Sequence, residues 1–322
     1  MRWPTQTALG HVMPDSSATP ASTLQPPTTN TRVLIPLGPF ALYIIWGSTY
    51  LGIRFALESY PPFLLAGMRF LCASVLMFGY LLLRGTPLPT PRQWRNAAIT
   101  GILLLGCGNG LVCVAEQHVS SGISAVAVAS VPLFMALFSG LYGTWPNRRE
   151  NVGLVIGFVG VIVLNLGSNL SGSRWSALTL LVAACAWAFG SVWSKHQDMP
   201  NGPMNTAAQM LCASVALLVV GFGSGEHPPL HPTVRATFAI AYLVMFGSLI
   251  AFSAYLYVLK HARPVLATSY AYVNPAVAVL FGVLLAGEQV GPFDLAGMAI
   301  VLLGVIVISL AKQRRSKNGS GA

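Results

Sequence analysis

Charged residues are scarce in this chain of 322 residues. Asp, Glu, Lys and Arg make up only 8% of it, hydrophobic residues make up 54%, and the mean hydropathy is +0.67. A soluble domain carries about 25% charged residues, because a water-exposed surface cannot be built from fewer. The scarcity of charge excludes a soluble globular protein and predicts an all-α integral membrane protein.

The signatures of several chemistries are also missing. The five cysteines lie in apolar segments and form no CxxC or Cys/His pattern, so we interpret them as small buried hydrophobic residues. The six histidines have no cysteine or acidic neighbour at metal-ligand spacing, which argues against a metal site. No GxxxxGK[ST] sequence is present, so no built-in ATPase is expected. We therefore expect no cofactor and no catalytic residues.

Apolar segments of spanning length follow one another from residue 38 onwards. A helix needs about 20 apolar residues to cross a bilayer, and Pro- and Gly-rich breaks separate the segments. Residues 1–37 are predicted to form a disordered cytoplasmic tail and residues 313–322 a basic cytoplasmic tail. The ten predicted transmembrane helices cover residues 38–58, 62–84, 96–115, 122–143, 152–168, 175–195, 204–222, 236–259, 264–286 and 293–312.

Lysine and arginine are distributed unevenly between alternate loops. With the amino terminus in the cytoplasm, fourteen of the 18 Lys and Arg residues fall in cytoplasmic segments, and the outer loops hold only Arg174 and Arg235. This asymmetry follows the positive-inside rule and predicts that both termini are cytoplasmic. It also explains the net charge of +10, because these residues face the cytoplasm and anionic lipid. Nucleic acid is not an expected partner.

The second half of the chain repeats the first at a spacing of about 140 residues. The matching motifs occur in the same order in both halves, which argues against chance similarity. They are LCASV at 71–75 and 211–215, Trp46 with Arg54 and Trp187 with Lys195, Pro132 and Pro275, and GVIVL at 160–164 with GVIVI at 304–308.

Each half, at 38–168 and 175–312, is predicted to contain five transmembrane helices. Because five is odd, the second copy enters the membrane from the opposite side, which predicts ten helices in two inverted-topology five-helix repeats. Arg54 is predicted near the outer face and Lys195 near the inner one, in agreement with this inversion. Two opposed halves that enclose a site near the midplane are typical of secondary transporters.

Four motifs resemble the EamA family of the drug/metabolite transporter superfamily. AEQ at 115–117 is similar to its YedA-like subgroup. The resemblance covers about residues 38–312 and implies a ten-helix transporter, with efflux of amino acids and other metabolites as the common role. The motifs are WGSTYLGIR at 46–54, RFxxAS at 69–74, VAEQHVSSGISAVAVASVPLF at 114–134, and LAGE with GMAIVLLGVIVI within 285–308.

Aromatic, amide and proline residues within the spans are the candidates for a substrate cavity. Small-molecule sites are mostly apolar with a few polar groups, and proline frees a backbone carbonyl that must face protein or a watery cavity. Each aromatic residue taken alone fits core packing or an interfacial belt equally well, whereas the set favours a cavity. The candidates are Trp46, Tyr50, Asn109, Ser130, Pro132, Trp187, Tyr255, Tyr272, Asn274 and Pro275.

Arg54, Arg69 and Glu116 are the candidates for a gate or for ion coupling, because charged side chains within spans are costly. One interpretation is an outer gate or a substrate-charge site near the outer face. The other is that both arginines extend to the outer headgroups and pair locally, Arg54 with Glu58 one helical turn later. Glu116 is either a proton carrier or a carboxylate that sits in water.

Glycines at helical spacing predict close helix packing. Gly153, Gly157 and Gly160 lie in the fifth predicted helix, and Gly297 and Gly304 lie at the matching places in the tenth. Such spacing allows two helices to approach closely. The partner helix belongs either to the same chain or to a second one, so both a monomer and a homodimer remain open.

Two functions fit these features. The first is a secondary transporter of a bacterial inner membrane that exports small, amino-acid-like metabolites or drug-like compounds by alternating access, with or without proton coupling. Its partners would be a small-molecule substrate and the lipid bilayer. The second is a membrane-embedded enzyme that acts on a lipid or a small apolar substrate. It would need a catalytic cluster, and the cluster of Arg54, Glu58, Arg69 and Glu116 lacks a nucleophile or metal ligands.

Overall fold

The computed structural model describes residues 29–119, 121–167, 174–261, 267, 269–286 and the single positions 292, 296, 297, 299, 300, 303, 304 and 307. Across these residues the fold is helical, and they contain no β-strand. The helices are α1 (Thr29–Ala56), α2 (Pro62–Leu83), α3 (Pro91–Glu116), α4 (Ser121–Val128), α5 (Val131–Leu141), α6 (Arg148–Gly167), α7 (Arg174–Ser194), α8 (Gly202–Gly223), α9 (Val234–His261) and α10 (Tyr270–Ala286).

Several helices begin at residues other than those predicted. Helix α1 begins at Thr29, so the predicted tail to residue 37 is partly helical. Helix α3 begins at Pro91 because Thr90 and Gln93 form a reciprocal capping box. Hydropathy reports where a chain enters lipid, whereas capping side chains decide where the helix starts. The predicted helix at 293–312 lies largely outside the described residues.

The predicted helix at 122–143 is divided into two. Helix α4 ends at Val128 and α5 begins at Val131, with Pro132 in its first turn. Proline cannot donate the hydrogen bond that a continuous helix requires there. The Ser130 hydroxyl instead donates to the carbonyl oxygen of Ala127 at 2.7 Å. In the second half Pro275 lies inside the continuous helix α10.

The matching helices α2 and α8 end in the same way. Gly85 and Gly225 follow them with φ values of 69° and 84°, a left-handed conformation that glycine adopts without strain. The N–H groups of Thr86 and Glu226 then donate to carbonyl oxygens five residues back, at 3.0 and 2.9 Å. The two halves therefore use the same local chemistry at the same places.

Helices α2 and α8 pack against each other in opposite directions. A methyl group on Gly67 would lie 2.9 Å from Leu218, and one on Gly221 would lie 3.0 Å from Leu64. Residue numbers therefore rise along α2 as they fall along α8. The two helices that carry the LCASV motif are antiparallel partners.

Two further antiparallel pairs cross between the halves. In the first, α1 packs on α9, where the Trp46 indole N–H donates to the Gly247 carbonyl oxygen at 3.1 Å and Gly52 lies against Leu243. In the second, α7 packs on α3, where Gly190 lies against Leu104. The first helix of each half thus packs on the third helix of the other, with the core between them.

The outer surface of this bundle is apolar. Leu83 is 90% exposed, and many other large hydrophobic side chains are also exposed, which suits contact with lipid. In the described part of the chain, four helices are long and apolar enough to cross a membrane, namely α2, α3, α8 and α9. Shorter apolar helices lie within α5, α7 and α10. The described helices therefore agree with a multi-pass membrane protein.

The glycine-rich face of α6 packs against the same chain. A methyl group on Gly304 would lie 2.6 Å from the backbone nitrogen of Gly157 and 3.0 Å from the carbonyl oxygen of Gly153. Backbones this close require glycine on both sides. The predicted packing surface is present, and its partner is Gly304 of the same molecule.

Candidate functional site

A small cavity of about 60 Å³ lies at the centre of the bundle, where helices of both halves meet. It has room for a few water molecules. Most of its lining is apolar, as in small-molecule sites. The lining residues are Trp46, Thr49, Tyr50, Ile53, Arg69, Gly108, Asn109, Val112, Val128, Val131, Ala183, Ala184, Trp187, Tyr270 and Asn274.

One end of the cavity is closed by an aromatic cluster, which we define as Trp46, Trp187, Tyr255 and Tyr270. The Trp46 ring centroid lies 5.5, 5.2 and 4.7 Å from those of the other three rings. The Trp187 indole N–H and the Ser191 hydroxyl are hydrogen-bonded to the Tyr255 hydroxyl, at 3.1 and 2.6 Å. These bonds fix the rings in one arrangement.

The third helix of each half contains a π-helical segment, Ile102–Gly110 in α3 and Leu243–Ile250 in α9. A π-helical turn changes which side chains and carbonyls face a neighbouring helix and often marks a functional site. Here the first segment places Asn109 on the cavity. The second directs the Gly247 carbonyl and the Ser248 hydroxyl towards α1 and α2.

Arg69 of α2 lines the cavity and is bonded to the π-helical segment of α9. Its side chain is only 3% exposed, so it does not extend to the lipid headgroups. Its Nε donates to the Ser248 hydroxyl at 2.8 Å, and its Nη1 lies 3.5 Å from Oδ1 of Asn109. Among the described residues, no carboxylate lies within 4 Å of this guanidinium. For Arg69 the structure excludes the headgroup interpretation.

Glu116 lies buried at the end of α3. It is 5% exposed, and neither carboxylate oxygen has a hydrogen-bond partner in the described part of the chain. Arg54 and Arg69 both act on it electrostatically, although Arg54 itself is exposed. Glu116 does not line the cavity. A buried carboxylate without a partner is costly, so this position merits a functional test.

The expected local pair of Arg54 and Glu58 is not formed. Glu58 pairs instead with Arg235, with 3.4 Å between Nη1 and Oε1. The Arg235 guanidinium also lies 3.6 Å from the centroid of the Phe55 ring, and this stacking holds it over the start of the α1–α2 loop. The four-residue cluster that an enzyme would need is therefore divided, because Glu58 belongs to a surface contact between the halves.

The remaining predicted cavity residues lie near the cavity without lining it. Tyr255 belongs to the aromatic cluster behind Trp187. Ser130 and Pro132 form the junction of α4 and α5, next to the lining residue Val131. Pro275 follows the lining residue Asn274. Tyr272 faces away, since a methyl group on Gly157 of α6 would lie 3.1 Å from its ring.

Other lining residues were absent from the prediction, although helical periodicity indicates them. Thr49 and Ile53 lie one and two turns from Trp46 on the same face of α1, and Ala183 and Ala184 lie one turn before Trp187 on α7. These small or aliphatic side chains carry no chemical signature of their own. They can be predicted from their position on the same helix face as Trp46 or Trp187, but not from their residue type.

A second cavity, of about 740 Å³, opens at the end of the bundle that the charge distribution predicts to face the cytoplasm. We call it the vestibule. It lies between the end of α7, the start of α8 and the last turns of α9, and its lining includes Ser194, Asn205, Ser253 and Lys260. Along α7, Trp187 lines the central cavity, Ser191 is bonded to Tyr255 of the aromatic cluster, and Ser194 lines the vestibule. On this helix the aromatic cluster therefore lies between the two cavities.

The opposite end of the bundle is closed by contacts between the halves. The backbone N–H groups of Phe63 and Leu64, at the start of α2, donate to the Glu226 carboxylate at 3.2 and 2.8 Å. A carboxylate there also complements the positive end of the helix dipole. The Thr233 N–H donates to the Ser59 hydroxyl at 3.1 Å.

The described residues include no group of three His, Cys, Asp or Glu side chains that could hold a metal ion. The groups that can contact a ligand in the central cavity are the Arg69 guanidinium, the amides of Asn109 and Asn274, and the aromatic rings. These groups can bind and orient a small molecule by hydrogen bonding and ring contacts. They include no nucleophile placed against a base.

Sequence comparison identifies relatives along nearly the whole chain. The Escherichia coli protein named "Uncharacterized inner membrane transporter YedA" is 48% identical over 87% of this chain and 93% of its own length. The Bacillus subtilis "Uncharacterized transporter YoaV" is 26% identical over 88% of this chain and 99% of its own length. A solved crystal structure with 20% identity and a TM-score of 0.72 covers 87% of this chain and 98% of that one, which supports the fold alone.

The profile of the EamA-like transporter family matches this chain twice, at residues 36–166 and 174–310. Together the two matches include every residue that lines the central cavity and all or most of each described helix. The 48% identity to YedA confirms the YedA-like subgroup. The chain therefore belongs to the EamA-like transporter family.

Proposed function

We propose that this protein is a secondary transporter that exports small, amino-acid-like metabolites or drug-like compounds by alternating access. The observation that carries the proposal is the central cavity, which is shared by helices of both halves. A site at the junction of two opposed bundles opens to either side when one bundle rocks against the other. The two-fold match to a transporter family supports this function.

The helix contacts support an architecture of ten helices in two inverted five-helix repeats, at 38–168 and 175–312. Corresponding helices α2 and α8 are antiparallel, as an odd number of helices per repeat requires. The α1–α9 and α3–α7 pairs are each other's counterparts. We place the protein in a bacterial inner membrane, as the name of its relative YedA suggests, with both termini in the cytoplasm.

The two cavities support a cytoplasm-facing state of the transport cycle. The vestibule of about 740 Å³ opens on the predicted cytoplasmic side, while Glu226, Ser59 and their partners hold the other side closed. An exporter loads its substrate from the cytoplasm in such a state. The aromatic cluster would then have to move before the substrate reaches Arg69.

Labelling of loop cysteines tests the inverted arrangement. Leu88 and Leu230 are 61% and 91% exposed in the loops after the matching helices α2 and α8. Cys72 is exposed, so the five native cysteines are first replaced by serine. In that background we expect a membrane-impermeant thiol reagent, added to intact cells, to label Leu230→Cys and to leave Leu88→Cys unlabelled until the cells are opened. The two variants serve as each other's control. Labelling of both in intact cells would refute the inverted repeat.

Flux into proteoliposomes tests transport and proton coupling together. We expect the wild-type protein to move at least one solute from a panel of amino acids, sugars and cationic drugs, and a pH gradient to accelerate that flux. Glu116→Gln removes a buried carboxyl group that could carry a proton. The flux driven by a pH gradient should therefore fall to the level measured without a gradient, while exchange at equal pH continues.

Glu58→Gln is the matched control, because its surface pair with Arg235 contributes at most about 1 kcal/mol. It should leave both modes of transport unchanged. If the wild-type protein moves nothing on the panel, the transport proposal is wrong. If Glu116→Gln keeps its response to the gradient, only the role of Glu116 is wrong.

A further inference from the structure

The central cavity is lined by a single charged side chain in the described part of the protein. The other lining residues are aromatic, aliphatic, glycine, threonine or amide, and Arg69 is the exception. A buried charge must be compensated, because its removal from water costs several kcal/mol. The groups that surround the Arg69 charge, and the partners it still lacks, therefore indicate which kind of ligand the cavity binds.

The hydrogen bonds of Arg69 are incomplete. A guanidinium has five N–H donors, and in the described residues it has one short bond, to Ser248, and one long one, to Asn109. Neither partner is charged. Glu116 attracts Arg69 but does not pair with it directly. The remaining donors belong to a side chain that lines the cavity, so a ligand there could accept them.

The position of Arg69 is fixed by two neighbouring residues of α9. Ser248 accepts from its Nε and in turn donates to the Leu243 carbonyl oxygen at 3.0 Å, within the π-helical segment of α9. Gly247 lets the guanidinium lie against that helix, because a methyl group on Gly247 would be 2.9 Å from Nη2. A guanidinium held in one orientation can bind both oxygens of a planar carboxylate.

Apolar surface adjoins this donor group. Trp46 is bonded to the Gly247 carbonyl oxygen, one residue from the Ser248 partner of Arg69. The aromatic cluster and aliphatic side chains such as Val131 complete the lining. A ligand that fits both features has an anionic head at Arg69 and an apolar body against the rings. Because the cavity of about 60 Å³ has room for only a few water molecules in this state, such a ligand enters only after the aromatic cluster has moved.

We propose that the central cavity selects organic carboxylates with an apolar body, bound by Arg69, and excludes cations that lack a carboxylate. The inference rests on the proposed transport function for its biological meaning, and it chooses between the two solute classes left open there. It favours carboxylate metabolites over cationic drug-like compounds, because Arg69 repels an ammonium group that has no carboxylate beside it.

Binding to the full-length protein in lipid nanodiscs tests this selectivity without a flux measurement. The probes share one branched apolar body, namely 3-methylbutanoate, its neutral amide 3-methylbutanamide, and 3-methylbutylammonium, with L-leucine as the zwitterion. By calorimetric titration we expect the carboxylate and leucine to bind about tenfold tighter than the amide, the typical value of a charge-assisted hydrogen bond. The ammonium compound should show no binding.

Substitution of Arg69 assigns the selectivity to this side chain. Arg69→Gln should abolish the preference for carboxylate over amide, while the amide still binds within about twofold of wild type and so reports an intact cavity. Arg69→Lys should keep part of the preference, since it retains the charge without the fork. Arg84→Gln, at the exposed cytoplasmic end of the same helix, is the matched control and should bind like wild type.

Several outcomes would overturn the inference. They are an ammonium probe that binds as tightly as the carboxylate, a carboxylate preference that survives Arg69→Gln, and wild-type protein that binds none of the probes. Flux of a cationic drug without carboxylate binding would refute the inference and leave transport standing. Carboxylate binding without any flux would refute transport and leave the selectivity of the cavity standing.

Discussion

Gly101→Ala is expected to destabilise the protein more than any other single methyl group added to α3. The new Cβ would collide with the backbone carbonyl oxygen of Gln209 on α8. Backbone cannot rotate away as a side chain can, so α3 and α8 must separate. Overpacking of this kind costs about 1–3 kcal/mol or more. We expect a clear fall in the apparent unfolding temperature and in the yield of monodisperse protein after detergent extraction.

Gly79→Ala is the matched control for this substitution. Gly79 lies within α2, and a methyl group there would meet no atom of the described residues within 4 Å. Its replacement should be neutral or stabilising by up to about 1 kcal/mol, since alanine favours helix over glycine. An equal loss of stability in both variants would contradict the close approach of α3 and α8. Because membrane proteins often unfold irreversibly, both should be heated at the same rate.

Trp46→Ala is expected to lower transport more than tenfold. Trp46 is 8% exposed, touches the three other rings of the aromatic cluster and is bonded to the Gly247 carbonyl oxygen. Removal of a buried tryptophan leaves a void and costs about 3–5 kcal/mol. It also removes the wall between the cavity and the vestibule. The measurement is initial flux per folded protein, with folded protein quantified by size-exclusion chromatography.

Two variants separate this effect from a general loss of aromatic surface. Trp46→Phe keeps a ring and loses the hydrogen bond, so it should retain most of the flux. Phe238→Ala removes an aromatic side chain that is 73% exposed on α9, and it should behave like wild type. Full flux in Trp46→Ala would show that the aromatic cluster is dispensable for transport.

The sequence predicted most of the described helices and several residues that line the cavity, because both leave periodic or chemical marks. Apolar segments of spanning length give the helices, and Trp46, Tyr50, Asn109, Trp187 and Asn274 are large or polar residues that stand out within them. All five line the central cavity. Their roles in binding stay a prediction until flux or affinity is measured.

The position of Arg69 could not be read from its depth in the membrane. Depth alone allows an arginine to reach either the headgroups or the interior. The choice depends on Ser248 and Gly247, which lie 179 and 178 residues away in sequence and face α2 only because α9 contains a π-helical segment. No sequence pattern in α2 indicates that α9 contains this π-helical segment.

The local pair of Arg54 and Glu58, one of the two interpretations of these charges, is not formed for a related reason. A spacing of four residues places Arg54 and Glu58 on one helical face, but α1 ends at Ala56, so Glu58 no longer belongs to that face. It turns instead towards Arg235 of the other half. Rules for pairs within a helix fail where the helix has already ended.

The contact between Gly157 and Gly304 has a consequence for biosynthesis. Residue 304 is made 147 residues after Gly157, so the glycine-rich face of α6 that receives it stays uncovered while most of the second half is inserted. The antiparallel pairs between halves likewise wait for α8 and α9. The amino-terminal half therefore leaves the ribosome as an unfinished bundle, and its last gaps close only when these later helices have been made.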